Sequence, residues 1–143
     1  MARPIKKGIN YFSFDTDFFE DPKIKKLKHK YNSFGITLYI NLLTRIYREC
    51  GYYIILEEDI LIDIAEYLKT DIENIQGAIR YMTDIKLFNE KVITKNILVL
   101  TSERIQRTYQ ASVKSRGKKN PVKVNKMIWL LDEKQTEDYI HID

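Results

Sequence analysis

Cysteine, histidine and long apolar runs are all scarce in this chain. Cys50 is the single cysteine, so no disulfide can form within the chain, and a reducing cytoplasm is the expected location. No apolar run approaches the roughly 20 residues that a membrane-spanning helix needs, so we expect no membrane partner. The two histidines, His29 and His141, have no cysteine or spaced carboxylates near them in sequence, and no metal site is predicted.

Glycine is also too scarce and too scattered to build a phosphate-binding loop. The five glycines are spread along the chain, and no two of them have the spacing of a nucleotide-binding motif. Cys50 has no general base near it in sequence that would activate a thiol nucleophile. We therefore predict that the protein is not an enzyme and that it needs no cofactor.

What the sequence does have is uneven charge. Of its 143 residues, 44% are apolar and 31% charged, and a chain of this length and composition can bury a core without disulfides. The net charge is only +4, but residues 103–126 hold eight Lys or Arg against one acid. Residues 127–143 then hold one Lys against five acids. This clustering matters more than the total charge, because fields are local at physiological salt.

The order of predicted elements is typical of a winged helix-turn-helix. Helices over 22–31 and 34–49 precede a tyrosine-rich strand at 52–56, and two helices follow over 57–68 and 71–84. Strands near 87–93 and 97–100 pair into a ribbon, and a last helix, capped by Thr101 or Ser102, runs to about 117. We predict a mainly α fold with a small β-ribbon, a winged helix-turn-helix with extra N- and C-terminal helices.

The predicted winged-helix domain, with an extended N-terminal arm, fills residues 1–117. Residues 118–143 are predicted to form a basic linker and an acidic C-terminal tail. The apolar run at 127–131 is either a last strand or a segment docked on the domain.

Stretches along residues 5–117 resemble one known family. They include Gly8-Ile9-Asn10-Tyr11-Phe12, Asp17-Phe18-Phe19-Glu20-Asp21, Gly51-Tyr52-Tyr53, and Ile105-Gln106-Arg107 with Tyr109. The chain is similar to the N-terminal domain of phage replisome-organiser proteins, which are related to the DnaD-type primosomal initiators. The resemblance implies a winged-helix fold, replication initiation on phage or mobile elements, self-association and contact with other replication proteins. Family members often continue into a further C-terminal region, whereas this sequence ends at Asp143.

The last predicted helix is the best candidate for DNA contact. On one continuous helix, its basic residues share one side, opposite the apolar Ile105, Tyr109 and Val113. The predicted phosphate contacts are Arg104, Arg107, Lys114, Lys118 and Lys119. The alternative is a solvated basic helix without a nucleic-acid partner.

Two further elements give weaker support to DNA binding. The 71–84 helix occupies the recognition-helix position, and its outward face carries Arg80 beside the acidic Glu73 and Asp84. Sequence-specific readout by this helix is therefore not expected. Lys91 and Lys95 flank the ribbon turn as wing residues do, and solubility is the other explanation for them.

Five aromatic residues cluster before the first helix and suggest an oligomer interface: Tyr11, Phe12, Phe14, Phe18 and Phe19. Packing on the protein's own core and base stacking are the alternatives. Lysines at 23, 25, 26, 28 and 30 form a second basic cluster, interpreted as a solvated face balanced by nearby acids or as a contact for another subunit. Together these patterns predict a homo-oligomeric DNA-binding protein. A transcription regulator and a protein-interaction module are the rival functions.

Overall fold

The computed structural model describes residues 7–94 and 97–143, with the side chains of 90–94 and 97 outside the description. A short 3-10 turn at Phe18–Glu20 precedes the first helix. The helices are α1 Pro22–Glu49, α2 Glu58–Leu68, α3 Ile72–Asp84, α4 Glu103–Ser112 and α5 Lys114–Lys119. The strands are β1 Ile54–Ile55, β2 Asn89–Thr94, β3 Ile97–Thr101, β4 Val122–Val124 and β5 Ile140–Ile142.

Helix α1 starts where the sequence predicts and bends where two helices were expected to meet. The Asp21 carboxylate accepts a hydrogen bond from the Lys23 backbone N–H at 2.8 Å, and Pro22 occupies the first helical position. Asn32 breaks the helix with φ 56° and ψ −149°, and asparagine tolerates positive φ better than most residues. The second half of α1 is central, since Leu38, Leu42 and Ile46 are fully buried.

A three-stranded antiparallel sheet completes the first part of the fold. Its strand order is β1-β3-β2, with Ile54 opposite Leu100 and Lys91 opposite Val99. Helices α2 and α3 lie between β1 and β2 in the chain and pack on each other. The prediction of a mainly α fold with a small β-ribbon is confirmed, and the arrangement is compatible with a winged helix-turn-helix.

The C-terminal residues, predicted as a basic linker and an acidic tail, contain two short strands and a buried apolar segment. Strands β4 and β5 pair in parallel, and the intervening segment buries Ile128, Trp129 and Leu131. The fully buried Gln106 side chain of α4 donates to the Ile128 carbonyl oxygen at 3.1 Å and accepts from the Leu130 N–H at 2.6 Å. Because buried polar groups need partners, these bonds fix the segment to α4. The 127–131 run is thus a docked segment.

The prediction of one continuous basic helix to about residue 117 is wrong. Val113 is buried with φ −97° and ψ 10°, and it separates α4 from α5. The Ser112 hydroxyl donates to the Thr108 carbonyl oxygen at 2.8 Å, a bond that often bends helices. Gly117 then lies against the Tyr139 ring, where an added Cβ would be 2.6 Å from a ring carbon. Packing on the C-terminal segment therefore sets the direction of α5.

Candidate nucleic-acid interface

Five exposed lysines lie on α5 and on the segment that continues through β4. We call them the α5 cationic surface: Lys114, Lys118, Lys119, Lys123 and Lys126. Among the described residues, no acidic side chain forms an ion pair with any of their ammonium groups. Such lysines can bind phosphate without first giving up an internal partner.

The two predicted arginines of α4, by contrast, are both engaged within the chain. Arg104 donates to the carboxylates of Asp15 and, at 3.3 Å, Asp21, which links α4 to the N-terminal arm. Partial burial lowers the pKa of Arg104, but the hydrogen bond and charge of Asp15, together with the charges of Tyr39 and Asp21, raise it overall. Arg107 pairs with Glu103 at 3.4 Å, one turn away. The side chains of these ion pairs are half exposed, so each pair contributes little to the free energy of folding. Both arginines can therefore also contact phosphate.

Of the three remaining predicted contact residues, Arg80 is the one whose side chain the structure describes. Arg80 is exposed on α3, and the same helix exposes the acids Glu73 and Asp84. The Lys91 side chain and the whole of Lys95 lie outside the described residues.

A second group of lysines, predicted to form either a solvated face balanced by nearby acids or a contact for another subunit, lies beside α3. We call it the α1 cationic surface: Lys23, Lys25, Lys26, Lys28 and Lys30. The Lys23 ammonium donates to the Lys86 carbonyl oxygen at 3.1 Å, and that of Lys30 lies 4.6 Å from the centre of the Tyr81 ring. In the described part of the chain, the one carboxylate that pairs with these five lysines is Glu20, at 3.4 Å from Lys25.

The predicted aromatic interface divides into buried and exposed residues. Phe18 is buried, and Phe12 stacks on Tyr47 with ring centres 4.5 Å apart. Tyr11, Phe14 and Phe19 remain exposed, at 84%, 51% and 54% of their surface. Core packing therefore accounts for two of the five aromatic residues, and three remain available to a partner.

A cleft between the end of α1, the start of β1, α4, α5 and β4 was not foreseen from the sequence. We call it the tyrosine cleft, because its volume of about 730 Å3 is lined by Tyr52, Tyr53 and Tyr109. The Tyr52 ring centre is 4.8 Å from that of Tyr53 and 5.3 Å from that of Tyr109. Lys7, Arg116 and Lys123 also line this cleft, with Cys50 and Asp143.

Hydrogen bonds hold the wall of the tyrosine cleft in place. The Tyr109 hydroxyl donates to the Lys7 carbonyl oxygen at 3.3 Å, and Arg116 donates to the Gly8 carbonyl oxygen at 3.0 Å. The Tyr52 hydroxyl accepts from the Asn125 N–H at 3.0 Å. Burial raises the pKa of Tyr109 to about 12, although the nearby Arg116 opposes the shift. Burial also raises the pKa of Tyr52 and Tyr53, so all three hydroxyls are neutral at physiological pH.

The described residues contain neither a metal-binding cluster nor a helix that could cross a membrane. No group of three or more His, Cys, Asp or Glu side chains with metal-binding geometry occurs among them. None of the helices in this part of the chain is both long enough and apolar enough to cross a membrane.

Comparisons with known proteins give a family and one relative. Residues 11–105 match the model of a family described as Lin1244/Lin1753-like, N-terminal. Over 118 residues the chain is 27% identical to "Uncharacterized phage-related protein Lin1244/Lin1753" from Listeria innocua serovar 6a. The aligned region covers 82% of this chain and 38% of that protein, so the chain spans well under half of the relative's length. No solved structure matches the chain.

Proposed function

The chain belongs to the Lin1244/Lin1753-like N-terminal family, which includes a phage-related protein, and on this premise we propose that it binds DNA during replication initiation on a phage or mobile element. The observation that carries the proposal is the α5 cationic surface, whose five lysines have no ion-pair partner among the described residues. Neutralising phosphates with such lysines releases counterions, which supplies most of non-specific DNA affinity. The replication role rests on the resemblance to phage replisome organisers. The proposed role is one of binding, without catalysis.

Low sequence specificity follows from the chemistry of α3. In many winged helices this helix reads the major groove, where bases are distinguished by their exposed edges. Here the exposed acids Glu73 and Asp84 flank Arg80 and would be repelled by phosphate. DNA contact is therefore assigned to α5, and α3 faces a protein or solvent.

A lysine-protection experiment tests where DNA binds. Lysines are acetylated under limiting conditions, with and without a saturating duplex of random sequence, and each site is quantified by mass spectrometry. We expect Lys114, Lys118, Lys119 and Lys123 to be protected severalfold, because phosphates would cover their ammonium groups. The α1 cationic surface serves as the internal control and should react equally in both samples.

Other outcomes of that experiment favour other functions. Protection confined to the α1 cationic surface would indicate that DNA binds beside α3 and not on α5. Protection by one palindromic duplex at much lower concentration than by the random-sequence duplex would show a large ratio of specific to non-specific affinity. That result would favour a transcription regulator. No protection at low salt would favour a protein-interaction module.

Self-association is the second part of the proposal, and the exposed aromatics Tyr11, Phe14 and Phe19 support it. Large exposed aromatic groups are typical of interfaces, because they bury much apolar area on contact. We expect sedimentation at high micromolar concentration to give a mass above that of one chain. The Phe14→Ser/Phe19→Ser double variant should shift the mass towards the monomer, whereas Tyr67→Ser, at an exposed site on α2, should not. A wild-type protein with monomer mass would contradict self-association.

A further inference from the structure

We propose that the tyrosine cleft binds one nucleotide unit, with the base against the tyrosine rings and the phosphate against the cationic rim. The ligand is a nucleoside phosphate, either free or as one residue of a single-stranded chain. This inference goes beyond duplex binding by α5, since it depends on the tyrosine rings, Lys7 and Arg116 and shares only Lys123 with the α5 cationic surface. It would stand if duplex binding failed.

The size and walls of the cleft suit such a ligand. Its volume of about 730 Å3 falls within the roughly 300–1,000 Å3 that is usual for small-molecule sites. Tyr53 is half-buried and presents the most accessible ring of the three, whereas Tyr52 and Tyr109 are buried and pack on each other. Bases stack on tyrosine with little regard to sequence, because every base has a π-face.

The charge of the cleft favours an anion. Lys7, Arg116 and Lys123 line it, and Asp143 is the one acid among the described lining residues. The tyrosine hydroxyls add no negative charge at physiological pH. A phosphate near Arg116 and Lys123 would therefore gain charge-assisted hydrogen bonds.

Hydrogen bonds fix the position of two of the lining side chains. Arg116 is held by the Gly8 carbonyl oxygen at 3.0 Å, and Tyr109 by the Lys7 carbonyl oxygen at 3.3 Å. A pre-formed wall reduces the conformational entropy that binding would otherwise cost.

Cys50 provides a direct reporter of occupancy. It lines the cleft, is half-buried, and is the single cysteine of the chain, so a thiol reagent labels one known position. The test measures the rate of Cys50 alkylation by iodoacetamide with mass-spectrometric detection. The additives are dAMP, a short oligo(dA), adenosine and ribose 5-phosphate.

We expect dAMP and oligo(dA) to slow alkylation severalfold at saturation, and adenosine and ribose 5-phosphate to act only at much higher concentrations. Stronger protection by oligo(dA) identifies a single strand as the source of the nucleotide, and equal or stronger protection by dAMP identifies a free nucleotide. No protection by either at millimolar concentration would overturn the proposal. Equal protection by ribose 5-phosphate would also overturn it, since the base would then contribute nothing.

Variants separate the two halves of the site. Tyr53→Leu should raise the dAMP concentration for half-protection about tenfold by removing a stacking ring. Lys123→Glu should raise it severalfold by placing a negative charge at the rim. Lys134→Glu makes the same charge change at an exposed position outside the cleft and should leave protection unchanged. Each variant is compared with its own unliganded rate, and equal effects of Lys123→Glu and Lys134→Glu would contradict a local phosphate contact.

Discussion

Changing Lys114, Lys118 and Lys119 together to glutamate is expected to lower the affinity for duplex DNA about a hundredfold at low salt. The three lysines are exposed on α5, and none has an ion-pair partner among the described residues. Each substitution removes one phosphate contact and adds one repulsive charge. Fluorescence anisotropy with a labelled duplex of random sequence measures the loss.

The matched control makes the same charge change on the α1 cationic surface. Lys25, Lys26 and Lys28 are also exposed, and their replacement by glutamate gives the same net charge as the α5 variant. We expect this control to bind DNA within severalfold of the wild type, since only the long-range field changes. If the control loses more affinity than the α5 variant, the interface lies beside α3 instead. Far-UV circular dichroism verifies that both variants are folded.

Gly51→Ala is expected to destabilise the protein by about 3 kcal/mol or more, because two separate costs act at one position. Gly51 has φ +93°, which residues with a Cβ rarely adopt, and the added methyl would lie 2.2 Å from a Tyr109 ring carbon. The ring has little room to move, because it is buried, packs on Tyr52 and bonds the Lys7 carbonyl oxygen. Urea unfolding followed by circular dichroism gives the change in the free energy of unfolding.

Gly77→Ala provides the comparison with the same chemical change and the opposite expected sign. Gly77 lies inside α3, and the nearest atom to an added Cβ is the Tyr31 hydroxyl oxygen at 3.8 Å. The substitution should raise the free energy of unfolding by about 0.5–1 kcal/mol through the better helix propensity of alanine. Equal destabilisation by both substitutions would contradict the role assigned to the Gly51 backbone.

Local signals were sufficient to predict helices α1 to α3, the start of α4 and the ribbon. Asp21-Pro22 marks the start of α1, and Ser102, whose hydroxyl accepts from the Ile105 N–H at 3.1 Å, starts α4. Such caps act within one turn of helix and can be read from neighbouring residues. The same holds for the apolar residues at 92–93 and 97–100, which predicted the ribbon of β2 and β3.

Contacts between distant residues could not be predicted in the same way. The end of α4 at Val113 depends on packing, and the parallel pairing of Val122 with Ile140 joins segments far apart in the sequence. The tyrosine cleft is assembled from separate stretches around residues 7, 50–53, 109–116, 120–125 and 143. Arg104 was predicted to face phosphate, and nothing near it in sequence indicated its ion pair with Asp15.

The dependence of DNA affinity on salt is the most direct test of binding through the α5 cationic surface. The measurement is the slope of log affinity against log salt concentration for the wild type and the Lys114/Lys118/Lys119 variant. We predict a steep negative slope for the wild type, and a slope shallower by about 2 to 3 for the variant, because three counterion-releasing contacts are lost. A wild type that does not bind DNA at low salt, or equal slopes for the two proteins, would contradict this account.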